Sequence, residues 1–242
     1  KYADYYGVCC GKKNIFFTNN DSAYESAISL VKKGMKVEAI IDIREKSNSS
    51  IINEAISYGI KIYWSHTVID TYGYRRLKKI SIMQLSKDCQ STIGSKVDID
   101  CDCLGISGGW TPAVHLFTQS GGKLKFREKD QVFIPNKYPS KQISIGSCNG
   151  DFELEEIIKN SSKSIKDFLK IDKTDYENLT IVNSKEIDKK NIWLLPSDKV
   201  IGKTKPFVDY QNDATAKDTK PALREGFRSI EHVKRYTTTG MG

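Results

Sequence analysis

Runs of apolar residues separated by amphipathic stretches organise the first 95 residues. Three continuous apolar runs have the length and composition of buried strands: 14–18, 37–43 and 60–64. Two helices are predicted between them, over 22–33 and 51–59. The first begins at a capping-box pattern, Ser22 with Glu25, and ends at Gly34. Strand, helix, strand, helix, strand is the order of a doubly wound unit, so the pattern predicts a Rossmann-like α/β unit with a parallel sheet.

The rest of the chain is less regular. Apolar segments at 67–71 and 77–83 flank Tyr72-Gly73-Tyr74 and predict an antiparallel hairpin. Further short strands are predicted at four places: 99–106, around Leu124, around Val132, and 143–145. We predict helices over 152–169 and 220–234, with a polar, mostly irregular connector over 172–206 between them.

Composition excludes function classes without selecting one. The chain has 242 residues, of which 38% are hydrophobic and 28% charged, with a net charge of +8. Its basic residues are scattered, without an aromatic platform or zinc-finger spacing, so a solvated basic surface is favoured over a nucleic-acid face. No secretory signal is recognisable, and no apolar run approaches the ~20 residues of a membrane span. The six cysteines, interpreted below as reduced, predict a cytoplasmic protein. Because the sequence lacks an initiator Met, we interpret it as an internal fragment.

The cysteines and histidines show no spacing typical of a reactive or metal site. No two of the six cysteines form C-x-x-C. We predict six reduced cysteines and no metal site. The three histidines, His66, His115 and His232, are far apart, and His115 is expected on a short helix facing protein. We predict no catalytic residue in this chain.

The turn after the first predicted strand is a candidate for dinucleotide binding. Thr18–Ser22 leads into a helix N-terminus, and Asp42 ends the second strand, where a ribose-binding acid belongs. However, the turn contains no glycine, and Asp21 would repel a phosphate. A structural role for this Rossmann-like unit is therefore favoured over dinucleotide binding.

Gly146–Gly150 is the better candidate for binding a nucleotide. It is predicted to join a strand to a long helix that Asp151 would cap, and its small residues allow close approach of the backbone. An ordinary tight turn between a strand and a helix is the alternative.

Several long motifs resemble the α-subunit family of heterotetrameric sarcosine oxidases. They are the stretch from Phe16 to Tyr24, the block from Cys101 to Leu124 that contains SGGWTPAVHLFTQSGGKL, and the segment from Phe207 to Met241 with its KRYTTTG sequence. The resemblance runs through nearly the whole chain, apart from a variable stretch at about 172–200. It implies an NAD-binding domain that resembles glutathione reductase, followed by a folate domain that resembles aminomethyltransferases.

The resemblance also implies how this chain divides. Residues 1–95 would be a Rossmann-like unit inserted into the dinucleotide-binding domain. Residues 96–170 would be the returning half of that domain, and 171–242 the connector to the folate domain. The glycine-rich half of the dinucleotide-binding domain and the folate domain would both lie outside this sequence.

Cofactors and partners follow from the same resemblance. NAD would be held mainly outside this chain, with a contribution from residues that match the returning turn: Gly146, Ser147, Cys148, Asn149, Gly150, Phe152 and Leu154. Ser147 and Cys148 replace the alanines usual in the family. FAD in a β subunit and FMN at the α/β interface would carry electrons from sarcosine to oxygen, and tetrahydrofolate would accept the one-carbon unit. The partners would be β, γ and δ subunits, and Asn212–Lys217 is our suggestion for an FMN contact.

Two other functions stay open on sequence alone. The chain could be part of a related flavin-dependent oxidase or dehydrogenase that acts on another N-methyl amino acid or an opine. It could also be a non-catalytic scaffold that binds a partner through its basic surface. The substrate preference of the assembled enzyme separates these possibilities.

Overall fold

Strands and helices alternate along the chain much as the apolar pattern predicts. The computed structural model describes residues 1–139, 141–171, 191–197, 199 and 204–240. The strands in chain order are β1 (Lys13–Thr18), β2 (Lys36–Asp42), β3 (Lys61–Trp64), β4 (His66–Tyr72), β5 (Lys79–Leu85), β6 (Thr92–Asp100), β7 (Cys103–Ser107), β8 (Lys123–Arg127), β9 (Val132–Lys137), β10 (Phe207–Asp209) and β11 (Ala214–Thr215). The α-helices are α1 (Tyr2–Tyr6), α2 (Ser22–Lys32), α3 (Ser50–Ser57), α4 (His115–Gln119), α5 (Leu154–Leu169), α6 (Ala216–Arg224) and α7 (Ile230–Thr237).

These elements form two units. The first unit contains Lys1–Trp64 and Asp102–Asn191, and the second contains Ser65–Cys101 and Ile192–Gly242. The predicted boundaries near residues 95 and 170 concern the domains of a longer protein, and they stay a prediction. No helix in the described ranges is both long and apolar enough to cross a membrane.

The first unit is built on a four-stranded parallel sheet. Its strand order is β3-β2-β1-β7, and neighbouring strands pair in parallel throughout. Helices α2 and α3 form the two β-α-β connections and bury an apolar face against the sheet. The resulting core contains Tyr24, Ala27, Ile28, Val37, Ile40, Ile52, Ala55 and Ile60. The predicted α/β fold with a parallel sheet is therefore confirmed.

The predicted single strand over 99–106 is wrong, because the chain leaves one sheet and enters another at Asp102. Strand β6 ends at Asp100 and pairs with β5, whereas β7 begins at Cys103 and pairs with β1. The Asp102 carboxylate accepts the backbone N–H groups of Lys12 and Lys13 at 3.0 and 2.7 Å. This anchor holds the start of β7 beside the start of β1. Cys101 and Cys103 consequently do not share a strand.

The second unit contains a three-stranded antiparallel sheet of order β4-β5-β6. The hairpin predicted around Gly73 is confirmed as β4 and β5, with Tyr72 opposite Lys79. Strand β6 extends this sheet, although its first residues, from Thr92 onward, were not recognised in the sequence. Only the last two residues of β6 fall in the predicted strand.

The predicted helix over 220–234 is also wrong, because two helices occupy this region. Helix α6 starts earlier, where Thr215 and Asp218 form a capping box. It ends at Arg224, and Gly226 follows with a φ of +90°, a left-handed conformation that a right-handed helix cannot continue through. The N–H of Phe227 closes this end by donating to the carbonyl of Ala222 at 3.1 Å.

Residues 143–145 do not form the predicted strand, since they pair with no strand in the described ranges of the chain. A strand needs a neighbour for its backbone N–H and C=O groups. The short strands predicted around Leu124 and Val132 are confirmed as the hairpin β8–β9, and the helix predicted over 152–169 is confirmed as α5. Most of the predicted connector, at 172–190, 198 and 200–203, lies outside the described residues.

Candidate functional site

The strand order of the first unit creates a crevice between the carboxyl ends of β1 and β7. The connection that leaves β1 runs toward β2, whereas the chain returns to β7 on the other side of β1. In open parallel sheets, ligands bind outside the carboxyl ends of the strands at such a switch point. Two loops border the crevice: 18–22 after β1 and 107–110 after β7.

Polar side chains join these two loops. Asn19 and Asn20 are both buried; the Asn19 amide donates to the Gly108 carbonyl at 3.2 Å, and the Asn20 amide donates to Ser107 Oγ at 3.0 Å. The indole N–H of Trp110, at the exposed end of the second loop, donates to Ser22 Oγ at 3.2 Å. The asparagine side chains thus occupy the position where glycines would let a pyrophosphate approach the backbone.

A buried group of charged side chains closes the neighbouring end of β2. We call it the Arg44 cluster; it consists of Tyr24, Asp21, Asp42, Arg44 and Ser49. Arg44 is 4% exposed, and its Nη2 lies 2.8 Å from Asp21 Oδ1 and 2.7 Å from Asp42 Oδ2. The Tyr24 hydroxyl donates to Asp42 Oδ2 at 2.8 Å, and the Ser49 hydroxyl donates to Asp21 Oδ2 at 2.9 Å.

The protonation states in the Arg44 cluster follow from burial and pairing. Burial disfavours the charged guanidinium of Arg44, but hydrogen bonds to Asp42 and Asp21 outweigh this effect and raise its pKa. Burial, together with the charge of Asp42, raises the pKa of Tyr24, so this hydroxyl stays protonated and acts as a donor. The cluster therefore carries two carboxylates on one guanidinium.

This arrangement does not fit a dinucleotide. Asp42, the expected ribose-binding acid, is 0% exposed, and its oxygens are engaged by Arg44 and Tyr24. Asp21, expected to repel a phosphate, is bound to the same guanidinium. Sequence analysis missed Arg44, although an arginine two residues after an acid at a strand end was a signal that could have identified the pair.

The turn at Gly146–Gly150 differs from its predicted form. Residues Gly146–Asn149 make one turn of 3-10 helix, and the backbone before it is not a strand. Gly146 and Gly150 adopt φ values of +68° and +85°, in the left-handed region that favours glycine. Ser147 is exposed, and the Cys148 thiol donates to the Ile145 carbonyl at 3.0 Å. Ser147 is the exposed residue of the turn; Cys148 and Asn149 are half-buried, and Gly146 and Gly150 are buried.

Arg127 fixes the other side of this turn. Its Nη2 donates to the Gly150 carbonyl at 2.7 Å, and it also pairs with Asp130. A Cβ on Gly150 would lie 2.7 Å from Arg127 Nη2 and 2.9 Å from Ile134 Cγ2. Gly150 is consequently required by packing inside the unit, whether or not a ligand binds.

The start of α5 restricts which part of a ligand the turn could meet. Asp151 does not cap this helix as predicted; the cap position is Glu153, without a side-chain hydrogen bond to the helix. Glu155 and Glu156 follow in the first turn, and their charges disfavour a phosphate there. Hydroxyl groups, such as those of a ribose, fit this position better. Phe152 is half-buried and Leu154 is exposed beside them.

The remaining candidate residues do not converge on a site. His115 lies on the short helix α4 as predicted, but it is exposed rather than facing protein. His66 and His232 lie in β4 and α7. All six cysteines are free thiols. Among the described residues, no group of three or more His, Cys, Asp or Glu side chains could hold a metal ion.

Asp209 organises the tail segment that we associated with FMN. Its carboxylate accepts the side-chain amide of Asn212 at 2.9 Å and the backbone N–H groups of Gly240 and Gln211 at 2.6 and 2.8 Å. The hydrogen bonds from Asn212, Gly240 and Gln211 lower the pKa of Asp209 to about 2. The segment Asn212–Lys217 thus continues from a turn held by one ionised carboxylate into the start of α6.

Comparison with known proteins shows which proteins the sequence of this chain resembles. The model of the sarcosine oxidase A3 domain matches residues 203–242. The sarcosine oxidase subunit alpha of Corynebacterium sp. (strain P-1) is 29% identical over 246 residues, covering 98% of this chain and 25% of the relative. The subunit of the same name from Rhizobium meliloti (strain 1021) is 26% identical, covering 99% of this chain and 23% of the relative. The predicted resemblance is confirmed, and the chain spans about a quarter of the length of these relatives.

One solved structure supports the fold over the whole chain. The L-proline dehydrogenase of P. horikoshii shares 16% identity and a TM-score of 0.50, covering 100% of this chain and 43% of the dehydrogenase chain. At this identity the similarity concerns the fold alone. It agrees with the predicted relation to dinucleotide-binding oxidoreductase folds.

Removing Asp42 should destabilise the first unit strongly. Asp42→Ala leaves the buried Arg44 guanidinium with one partner fewer, so we expect the free energy of unfolding to fall by ~3–5 kcal/mol. Adding Arg44→Met removes the buried guanidinium that has lost its bonds to Asp42, and the double variant should lose less than Asp42→Ala alone. Urea unfolding measures both values. Glu54→Ala, which breaks the exposed pair with Lys32, is the matched control and should cost far less. Equal losses for Asp42→Ala and Glu54→Ala would contradict this account.

The tail should lose stability in acid through Asp209. The pKa of this group is lowered from its ordinary value of 3.8 to about 2. Its contribution is therefore complete above about pH 4 and disappears as the pH falls toward 2. We expect the stability difference between the wild type and Asp209→Asn, measured by denaturant unfolding, to shrink across this window. A difference that stays constant from pH 5 to pH 2 would show that folding does not lower the pKa of Asp209.

Proposed function

Because the chain is related to sarcosine oxidase α subunits along nearly its whole length, we propose that it is part of the α-type subunit of a flavin-dependent sarcosine oxidase. The assembled enzyme oxidises the N-methyl group of sarcosine and releases glycine. FAD and FMN carry the electrons to oxygen, and tetrahydrofolate accepts the one-carbon unit. The partners are β, γ and δ subunits in the cytoplasm. The observation that supports this proposal is the match of 98–99% of this chain to two α subunits of that name.

Within such an enzyme this chain has a positioning role and no catalytic residue. Its buried acids at the sheet edge are used by the Arg44 cluster, where neither Asp21 nor Asp42 is available to move a proton to or from a substrate. The histidines lie on separate elements, of which α4 and α7 belong to different units. Oxidation of the substrate therefore depends on residues outside this chain, and the bound flavins supply the redox chemistry.

The turn at Gly146–Gly150 is the contribution of this chain to an NAD site. Ser147 is exposed there, Cys148 and Asn149 are half-buried with small side chains, and Phe152 and Leu154 follow them. The acids at the start of α5 favour a ribose over a phosphate at this position. The pyrophosphate is bound by a glycine-rich segment outside this chain. The crevice between β1 and β7 has a structural role.

The FMN contact is proposed for the tail. Asn212–Lys217 follows the Asp209 turn and contains the capping box that starts α6. Because these hydrogen bonds fix the backbone before any ligand arrives, the segment is suited to present a defined surface at the α/β interface.

Substrate preference tests the proposed function. We expect the assembled enzyme to oxidise sarcosine faster than N-methylglutamate, an opine or L-proline, measured as kcat/KM from oxygen uptake. The 242-residue chain alone should show no turnover above buffer. Sarcosine turnover by the isolated chain would disprove the positioning role. A higher kcat/KM for one of the other amines would show that this amine, and not sarcosine, is the substrate. The proposal of a flavin-dependent enzyme would then remain.

A bulky residue at the turn tests the NAD contribution. Ser147 is exposed, so Ser147→Trp should fold normally while it blocks approach to the turn. We expect the NAD retained by the purified complex to fall by about tenfold, because a few lost or displaced contacts are worth ~1–2 kcal/mol. The measurement is NAD released on denaturation, beside the melting temperature.

Two variants control this experiment. Ser147→Ala keeps the turn small and should retain NAD. Asp21→Asn disturbs the Arg44 cluster and should lower stability without loss of NAD. Gly150→Val is unsuitable, since its side chain would collide with Arg127 and Ile134. Normal NAD content in a folded Ser147→Trp variant, or selective NAD loss in Asp21→Asn, would reject the assignment of the turn.

A further inference from the structure

Two cysteines that are 93 positions apart border one groove of the first unit. Cys10 and Cys103 both line a groove of about 240 Å³ between the N-terminal segment, β1 and α2. The Cys10 side chain is exposed and Cys103 is half-buried. The other lining side chains are largely apolar, including Tyr2, Phe16 and Leu30. The groove therefore brings two thiols to a shared, partly accessible surface.

The backbone holds the two segments in contact. The Asp102 carboxylate binds the N–H groups of Lys12 and Lys13, and the N–H of Asp102 donates to the Lys13 carbonyl at 3.2 Å. Strand pairing then places Asn14 opposite Cys103. These bonds fix residues just after Cys10 against residues at the start of β7.

Gly11 shows how close this approach is. A Cβ on Gly11 would lie 2.4 Å from the Cys103 Cβ, nearer than real atoms come. Since a Cα–Cβ bond is about 1.5 Å, the Cα of Gly11 lies within about 4 Å of the Cys103 Cβ. Cys10 directly precedes Gly11, and its Cα is about 3.8 Å from the Cα of Gly11. The Cα of Cys10 therefore lies within about 9 Å of the Cα of Cys103, a limit that includes the roughly 4.4–6.8 Å that a disulfide needs.

We propose that Cys10 and Cys103 are an oxidisable thiol pair that closes into an intramolecular disulfide on exchange with a low-molecular-weight disulfide such as oxidised glutathione. The Cys10 thiolate attacks one sulfur of oxidised glutathione, which forms a mixed disulfide and releases one glutathione. The Cys103 thiolate then attacks the Cys10 sulfur and releases the second glutathione. The protein loses two electrons and two protons, and glutathione disulfide is reduced to two thiols.

The two thiols differ in reactivity because their surroundings differ. Burial raises the pKa of the Cys103 thiol, and the neighbouring Cys10, Asp102 and Cys9 act in the same direction. Cys103 is therefore the slower nucleophile, and exposed Cys10 reacts first. Cys9 is also a neighbour, but its thiol is engaged, since it donates to the Gly11 carbonyl at 2.7 Å.

Closure would fasten the N-terminal segment to the edge strand β7. Helix α1 contains no buried residue, so little apolar packing holds it in place. A disulfide that closes so long a loop lowers the conformational entropy of the unfolded chain. It should therefore raise the melting temperature. Oxidation would thus rigidify the groove without touching the turn at Gly146–Gly150.

Peptide mapping tests the thiol pair. The intact protein is incubated with oxidised glutathione, alkylated and digested with trypsin. We expect a disulfide between the tryptic peptides 2–12 and 97–123, which reducing agent removes, together with the loss of two free thiols per chain. Cys10→Ser and Cys103→Ser should each lower the yield of this product by at least about tenfold, since each removes a sulfur that the exchange requires. Cys9→Ser and Cys101→Ser are the matched controls and should keep it.

Each other outcome rejects the proposal. A bond that survives in Cys10→Ser would assign the reaction to Cys9, and one that survives in Cys103→Ser would assign it to Cys101. Stable mixed disulfides with glutathione at Cys10, without a linked peptide, would show that Cys103 is out of reach. Circular dichroism of each serine variant confirms that the comparison is made between folded proteins.

Discussion

The buried Arg44 guanidinium is the interaction on which the carboxyl end of the parallel sheet depends. It joins the loop after β1, through Asp21, to the end of β2, through Asp42. Ser49, which precedes α3, binds the same Asp21. Burying these charges costs desolvation free energy, and the hydrogen bonds offset it only as long as all the partners are present. One cation therefore joins the loop after β1 to the end of β2.

This constraint separates the fold of the first unit from the function usual for that fold. The unit keeps the parallel strands and the switch point, but asparagine side chains and the Arg44 cluster fill the place of a phosphate-binding turn. In the proposed function, NAD therefore contacts this chain at the turn Gly146–Gly150, where Ser147 is exposed. The chain is similar to a sarcosine oxidase α subunit over 98% of its length.

The sequence predicts those parts of the fold that depend on local patterns. β1, β2 and β3 are continuous apolar runs, so periodicity is sufficient for them. Helix α2 begins at Ser22 as predicted, but the predicted capping box of Ser22 and Glu25 is wrong, because Asp21 is the cap residue and makes no side-chain hydrogen bond to the helix. The strand break at Asp102 depends on backbone N–H groups some 90 residues away. The Arg44 cluster likewise depends on Asp21, a partner across the sheet edge.

In the tail, the capping pair Thr215–Asp218 and Gly226 were visible signals for two helices. Residues 143–145 have the pattern of a strand, but pattern alone does not supply a pairing partner.

Hydrogen exchange of the intact complex, with and without NAD, tests the central claim most directly. The claim is that NAD meets this chain at Gly146–Gly150 and not at the crevice between β1 and β7. The account predicts that NAD slows amide exchange at 146–150 and leaves exchange at 18–22 and 42–44 unchanged. Slower exchange at 18–22 and 42–44, with no change at 146–150, would contradict it.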